Sequence, residues 1–243
     1  MMFRVVIVGG PCGPYIDRCL DSLCLQADRG WTAAVVLDRF DDAPERVAAR
    51  GGTPVTLRVN DKPKGALPNI IDSIGLQGPG PDDVIVTLDG DDWLNGNNVL
   101  GKVRRHYQVF PKLLMTYGSW IGYPDPKAVN NSAPYMTHEF ENGTLRRGPW
   151  RGTHLRTFKY GLWQRVRDGD LRMRDGSYYD CAWDLAFMWP MLEMAGPERA
   201  KWIPDQLYVY NRETPYNDEK LRSSRQTAWR DEIAAKPPYT RLP

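Results

Sequence analysis

The sequence has little of several features that mark special classes of protein. It has four cysteines and three histidines in 243 residues, and no two cysteines have the C-x-x-C spacing of a zinc or redox site. We therefore expect reduced thiols, buried or half-buried, in a cytoplasmic protein. The longest apolar run near the start, residues 5–8, is too short for a signal peptide or a transmembrane segment.

An excess of one charge is also absent, since 32 Lys and Arg stand against 30 Asp and Glu, for a formal net charge of +2. Bulk charge therefore does not indicate a partner that is a polyanion. With 42% hydrophobic residues and a mean hydropathy of −0.53, the chain is neither wholly disordered nor fibrous. A chain of this length buries about 70–75% of its unfolded surface, so it needs no disulfide or metal to fold.

The first half of the chain alternates between strand and helix patterns. Apolar, β-branched runs predict buried strands at residues 4–9, 32–37, 55–59 and 84–88, and helical patterns lie between them at 15–26, 39–50 and 69–75. This alternation favours parallel pairing and a sheet covered by helices. In open sheets of this kind, ligands bind beyond the carboxyl ends of the strands.

The second half has a less regular pattern. It predicts helices at residues 98–109, 157–167 and 181–195, short strands at 113–117 and 202–210, and a long loop region with short strands at 123–151. From residue 211 onward the chain is polar and Arg-rich, and we expect a partly ordered arm. No internal repeat or long linker divides the chain into independent domains.

Two of the predicted strands end in carboxylates, one at Asp38 and the other at the sequence Asp89-Gly90-Asp91-Asp92. Hard divalent cations prefer oxygen ligands, and three carboxylates at one strand end repel one another unless a cation lies among them. A solvated Asp-Gly turn before a helix is the alternative. Asp38 is suited either to hydrogen bonds with a nucleobase or ribose or to a turn within its own loop.

The order of these segments resembles that of the family 2 glycosyltransferases with the GT-A fold. The resemblance covers roughly residues 4–212 and rests on a glycine-rich loop after Gly9, Asp38, a K-G-x-x-x-N segment at Lys64, the sequence VTLDGDDWL, and the later segments 152–159 and 178–196. It implies an α/β fold of one domain, with a Rossmann-like, mixed but mostly parallel sheet flanked by helices. Residues 1–105 would bind the nucleotide sugar, 106–212 would hold the acceptor, and 213–243 would form an arm or lid.

The same resemblance implies roles for individual carboxylates. Asp38 matches the residue that reads the base, usually uracil, and Asp89 lies near the ribose and the metal. Asp91 matches the carboxylate that binds Mn²⁺ or Mg²⁺. Asp184 matches the general base best, and Asp180 competes with it because the spacing to the following Ala-Gly pair departs from the family's pattern by about one residue.

Other residues also belong to the predicted site, and two of them, His154 and Lys64, have an alternative role. His154 would complete the metal shell or serve as a hydrogen-bonded structural histidine. Arg156 would pair with the diphosphate. Lys64 would approach a phosphate or base, unless it lies in a surface turn. Gly9 and Gly90 would let the backbone approach the donor closely.

Residues 145–174 carry eight Arg and one Lys against two Asp, a net charge of +7. This stretch fits DNA or an anionic glycan, or else arginines that surround a diphosphate or lie solvated on a helix. In the tail, Lys220, Arg222 and Arg225 would screen phosphate charge, and Asn211 would contribute to a lid over the diphosphate.

Together these features predict a metal-dependent, inverting hexosyltransferase-type enzyme. It would move a sugar from a nucleotide donor, such as a UDP-sugar, to a glycan or another hydroxyl compound. The alternatives are transfer to hydroxymethylated bases in DNA and a non-catalytic sugar- or nucleotide-binding module of the same fold.

Overall fold

Strands and helices alternate through the chain, which a computed structural model describes at residues 1–10, 12–214 and 223–243. The strands are β1 Phe3–Gly9, β2 Trp31–Asp38, β3 Val55–Asn60, β4 Val84–Asp89, β5 Trp93–Leu94, β6 Met115–Tyr123, β7 Arg156–Lys159 and β8 Ala200–Asn211. The helices are α1 Tyr15–Cys24, α2 Ala43–Ala48, α3 Ala66–Gln77, α4 Val99–Val109, α5 Thr137–Glu141, α6 Tyr160–Trp163, α7 Trp183–Ala195 and α8 Ser223–Ala235, with one 3-10 turn at Asp168–Leu171.

The described strands form one eight-stranded sheet in the order β3-β2-β1-β4-β7-β6-β8-β5. In its first half, β1 pairs in parallel with both β2 and β4, and β2 pairs in parallel with β3. Val5 and Ile7 face one hydrophobic cluster, whereas Val6 and Val8 face the other. Burial of both faces explains the unbroken apolar run in β1. The predicted α/β class with a mixed, mostly parallel sheet is confirmed, since four of the strand pairs are parallel and three are antiparallel.

The second half contains the main error of the sequence reasoning. The predicted helix at residues 157–167 is wrong at its start, because β7 lies there, antiparallel between β4 and β6. Thr157 faces one side, where its hydroxyl contacts those of Thr116 at 2.6 Å and Tyr107 at 3.0 Å, and Phe158 packs into the opposite cluster. A four-residue strand is too short to show a period in the sequence.

Several other elements differ from the prediction. Strand β6 extends to Tyr123 rather than ending at residue 117, α2 is shorter than the predicted helix at 39–50, and α3 is longer than the predicted helix at 69–75. Helix α5 lies within the predicted loop region at 123–151, where the described residues form no strand after the end of β6. The longer β6 matters for the site, because β8 pairs with it in parallel and β5 then pairs with β8.

Helix α7 lies in the interior, and Trp189 and Phe187 within it are fully buried. It is apolar on every side because it packs against the sheet on one side and α8 on the other. None of the described helices combines the length and apolarity that crossing a bilayer requires. The four cysteines, all within the described residues, form no disulfide; Cys12, Cys19 and Cys181 are buried and Cys24 is half-buried.

The predicted arm or lid, residues 213–243, is a folded element over the part that the structure describes, 223–243. Ile233 of α8 is buried, and Arg146 donates hydrogen bonds to the carbonyls of Ile233 and Lys236. Arg146 also forms a two-pronged ion pair with Glu193 of α7. Two of the three cations assigned to this segment, Lys220 and Arg222, lie outside the described residues.

Candidate functional site

The carboxyl ends of β1, β2 and β4 lie at one edge of the sheet. Asp89 continues the register of β4 beside Val8, and Gly9 lies beside Leu37 of β2. The structure therefore brings together three positions that the sequence predicted for donor binding: Gly9, Asp38 and Asp89. We call the sequence Asp89-Gly90-Asp91-Asp92 the acidic turn.

Two glycines allow the ends of β1 and β4 to approach each other. A Cβ atom on Gly9 would lie 2.6 Å from the sulfur of Cys12, and one on Gly90 would lie 2.8 Å from the same atom. The Gly90 N–H donates to the carbonyl of Val8 at 2.8 Å, which continues the ladder past β4. Burial, followed by the charges of the acidic turn, raises the pKa of Cys12, so this thiol is a neutral packing group.

Asp38 organises the loop that follows β3. One carboxylate oxygen accepts a hydrogen bond from Asn60 at 2.9 Å, and the other accepts the backbone N–H groups of Lys64 at 3.0 Å and Gly65 at 2.9 Å. The ammonium group of Lys64 instead pairs with Asp72 at 2.8 Å. Lys64 therefore meets Asp38 through its backbone, and its side-chain charge is directed to α3.

Strand β8 holds the acidic turn from the opposite side. Asp92 is 1% exposed, and its two oxygens accept hydrogen bonds from the Tyr208 hydroxyl at 2.6 Å and the Asn211 backbone N–H at 2.7 Å. The Asn211 amide also donates to the Asp91 carbonyl at 3.0 Å. Burial, Asp91 and Asp89 raise the pKa of Asp92, and the two donors only partly oppose them.

A candidate metal group forms from Asp89, Asp92 and His154, whose ligand atoms all lie within 4.8 Å of one another. His154 is buried, and its Nδ1 atom has no hydrogen-bond partner among the residues that the structure describes. Burial and then the nearby Arg156 keep the pKa of His154 well below its ordinary value, so the ring is neutral, the form that binds metals. An orphaned imidazole nitrogen beside two carboxylates fits a Mn²⁺ or Mg²⁺ ion, Mn²⁺ better because of the nitrogen ligand.

The members of this group can be compared with the residues that the resemblance assigned to the metal. Asp89 and His154 belong to the group, Asp92 joins them, and the assignment of Asp91 to the metal stays a prediction. Sequence reasoning assigned no metal-binding role to Asp92, because its contacts come from Tyr208 and Asn211 more than a hundred residues later. Tyr208 was missed altogether, since an aromatic residue in an alternating strand is more often part of the core.

Arg156 connects the candidate metal group to Asp184. It is 4% exposed, its Nη2 atom donates to Asp184 at 2.6 Å, and the same atom lies 3.4 Å from Nε2 of His154. Its Nη1 atom is buried and has no hydrogen-bond partner in the described parts of the chain. Asp184 lies in the first turn of α7, where its other oxygen accepts the N–H of Leu185.

Asp180, the competing candidate for the general base, has different surroundings. It accepts a hydrogen bond from the indole of Trp229 at 2.9 Å and pairs with Arg225 at 3.0 Å. Both partners belong to α8. Arg225, which we expected to screen phosphate charge, is thus engaged by Asp180.

This sheet topology and the edge that carries the acidic turn define the GT-A fold. Among solved structures, the chain is similar to residues 1–349 of S. aureus TarS in complex with UDP, with a TM-score of 0.64 and 16% identity over 97% of this chain and 70% of that one. It is also similar to a longer S. aureus TarS chain, with a TM-score of 0.64 and 17% identity over 97% of this chain and 42% of that one.

A third similar structure is TarS 1–349 in complex with UDP-GlcNAc, with a TM-score of 0.60 and 13% identity over 97% of this chain and 71% of that one. No protein-family model matches the sequence, and no curated protein matches it. At these identities the likeness establishes the fold.

Proposed function

We propose that this protein is a metal-dependent glycosyltransferase that transfers a sugar from a UDP-sugar to an acceptor hydroxyl, with inversion at the anomeric carbon. The observation that carries the proposal is the candidate metal group, which lies at the edge of the sheet where open α/β folds bind ligands. TarS, a family 2 glycosyltransferase of GT-A type, supports the donor class, because its structures contain UDP and UDP-GlcNAc.

The donor half would use the strand ends. Asp38 fixes the loop at Lys64 and Gly65. This loop would form one wall for the nucleoside. Asp89 and Asp92 would hold the cation together with His154. A bound divalent cation would stabilise the negative charge that develops on the leaving diphosphate.

Arg156 suits a second contact with the diphosphate. Its Nη1 atom is a buried donor without a partner among the described residues, and such a group is costly unless a ligand accepts its hydrogen bond. A guanidinium also binds phosphate oxygens in a geometry that a lysine cannot reproduce. Since Nη2 of Arg156 already contacts Asp184, the same side chain sets the distance between the diphosphate and the proposed base.

Asp184 is the base that this arrangement favours over Asp180. An attacking hydroxyl must lose its proton to a carboxylate on the side of the sugar opposite the leaving group. Asp184 is joined to the candidate metal group through Arg156, whereas Asp180 is engaged by α8. Direct displacement by an acceptor that Asp184 deprotonates would invert the anomeric centre.

The proposal is tested with UDP-sugars and Mn²⁺. We expect UDP to raise the melting temperature only when Mn²⁺ is present, because a ligand that binds only the folded state stabilises it. We also expect slow Mn²⁺-dependent release of UDP from a UDP-sugar, measured by coupled assay and abolished by EDTA. A chain that binds UDP with Mn²⁺ but never breaks the glycosidic bond, with any acceptor, would instead be a binding module.

Variants connect this activity to the site. Asp89→Ala should lose the Mn²⁺-dependent shift and the release of UDP, and Asp184→Asn should keep the shift while transfer falls by at least about 100-fold. Asp82→Ala is the control, because Asp82 is 85% exposed and precedes β4 at the other end of that strand. Equal activity in Asp89→Ala and Asp82→Ala would refute the proposal.

A further inference from the structure

Tyr208 of β8 contacts all three members of the candidate metal group, and no motif in the sequence singled it out. Its side chain is fully buried. Its hydroxyl donates to Asp92 at 2.6 Å and accepts the backbone N–H of Asp89 at 3.2 Å. Its ring stacks on the imidazole of His154, with centroids 4.3 Å apart and planes inclined by 12°. One side chain therefore fixes the relative positions of groups from β4, from the turn after it and from the segment before β7.

We propose that Tyr208 is a positioning residue for metal binding, which sets the geometry of Asp89, Asp92 and His154. The inference rests on the metal site of the proposed function and extends it to a residue that need not touch the ion. Groups that orient the ligands of a metal commonly change its affinity by about 10- to 100-fold when they are removed.

The hydroxyl is suited to this role because both of its hydrogen-bonding functions are used. A buried phenol has one proton to donate, and here the acceptor is a carboxylate oxygen of Asp92. The oxygen of the same hydroxyl accepts the backbone N–H of Asp89. Tyr208 thereby fixes the direction in which the Asp92 carboxylate faces the other two members of the candidate metal group.

The ring supplies the second half of the role. Among the described residues, His154 has no hydrogen bond at Nδ1, and its Nε2 atom has only the long contact with Arg156 at 3.4 Å. The plane of the imidazole is therefore set by its stacking on Tyr208 and, more distantly at 5.8 Å between centroids, on Tyr210. A histidine ligand whose ring plane is fixed before the metal binds loses less entropy when it binds.

The test compares two substitutions at Tyr208 with a matched control. Tyr208→Phe removes the hydroxyl and keeps the ring, and Tyr208→Leu removes both. Tyr107→Phe is the control, because Tyr107 is also buried and its hydroxyl also makes a hydrogen bond, at 3.0 Å to Thr157, but none with the acidic turn. Dissociation constants for Mn²⁺ are measured by electron paramagnetic resonance of the free ion in a titration of each protein without nucleotide.

We expect Tyr208→Phe to weaken Mn²⁺ binding by about tenfold and Tyr208→Leu to weaken it further, with a changed line width of the bound ion. Tyr107→Phe should bind Mn²⁺ as the wild type does, even where its melting temperature falls as much as that of Tyr208→Phe. Unchanged affinity in both Tyr208 variants would overturn the inference and leave the proposed function standing. Equal losses in Tyr107→Phe would also overturn it, and a wild-type chain that binds no Mn²⁺ would overturn both.

Discussion

At the scale of single residues, the acidic turn lowers the stability of the metal-free protein, because it holds carboxylates close together at the proposed metal site. Asp92 is almost completely buried beside two further carboxylates, and its raised pKa measures the cost of keeping it ionised. A group whose pKa is higher in the folded state than in the unfolded state favours folding at low pH. That contribution is lost as the pH rises through the folded-state pKa. Without a cation, the turn therefore weakens the fold at neutral pH.

Asp89→Asn should consequently stabilise the metal-free protein at neutral pH. The substitution removes one of the charges that raise the pKa of Asp92 and keeps nearly the same shape. We expect a gain of about 1 kcal/mol, or roughly 2–4 °C in melting temperature for a chain of this size, in buffer with EDTA.

The same variant should lose the increase in melting temperature that Mn²⁺ gives the wild type, and below about pH 4 the two proteins should differ little, because carboxylates then become protonated in the unfolded chain. Thermal unfolding from pH 4 to 8, with and without Mn²⁺, measures both effects. A destabilised Asp89→Asn protein in EDTA at pH 7 would show that the turn is not under charge strain.

At the residue scale, the order of motifs along the chain predicted which residues lie near one another. Asp89, His154 and Arg156 lie together because strand ends and a later loop converge, and their roles stay predictions. The inclusion of Asp92 in the candidate metal group was beyond the sequence, because it depends on which carboxylate β8 covers. Tyr208 and Asn211 hold Asp92 through hydrogen bonds, and partners so distant in the chain cannot be read from local pattern.

At the scale of elements, a long apolar helix was predicted well, whereas a short strand and a polar helix were missed. Helix α7 was predicted within two residues at its start, since its apolar run is long and ends in glycine. Strand β7 was mistaken for a helix, although it is central in the sheet, because four residues give no measurable period. The C-terminal helix α8 was missed because its sequence is polar on most positions, and packing on α7 overrides that composition.

The contact between α7 and α8 depends on a buried ion pair. Arg146 and Glu193 have side chains 8% and 9% exposed, and Arg146 also satisfies two carbonyls at the end of α8. Arg146→Met should destabilise the protein by about 3–5 kcal/mol, because it leaves the charge of Glu193 buried without its partner.

The double variant Arg146→Met, Glu193→Met should recover a large part of that loss, since no buried charge remains. Urea unfolding at pH 7 measures both free energies, provided that the transition is two-state. A single variant within about 1 kcal/mol of the wild type would mean that water reaches Glu193 and that α8 docks by apolar contact alone.

At the scale of the whole molecule, most of the positive charges of residues 145–174 are paired with carboxylates in the folded protein. Most of its cations have carboxylate partners elsewhere or nearby: Arg146 with Glu193, Arg151 with Glu139, Arg156 with Asp184, Lys159 with Asp82, Arg167 with Asp170, Arg172 with Asp168, and Arg174 with Glu232. Among the described residues, no carboxylate pairs with Arg147 or Arg165, and both are exposed. The net charge of this stretch, counted from the sequence, is therefore larger than the positive charge that remains available to a partner.

Binding to duplex DNA should therefore be weak. Few free cations are available to displace counterions, and the affinity and its dependence on salt both grow with that number. In fluorescence anisotropy with a 20-base-pair duplex at 50 and 200 mM NaCl, we expect no saturation below about 10 μM protein at either salt concentration. Submicromolar binding that falls steeply with salt would contradict this prediction and support DNA as the acceptor.

The hydrogen bonds between β8 and the acidic turn also have a consequence for the order in which parts of the protein fold. Each of these three hydrogen bonds joins two residues that are far apart in the chain, by 116, 119 and 120 positions. Closing such long loops is slow compared with forming the neighbouring contacts of β1 to β4. During synthesis, the carboxylates of the turn are made well before the strand that orients them, so the ability to hold a cation would appear only once β8 has joined the sheet.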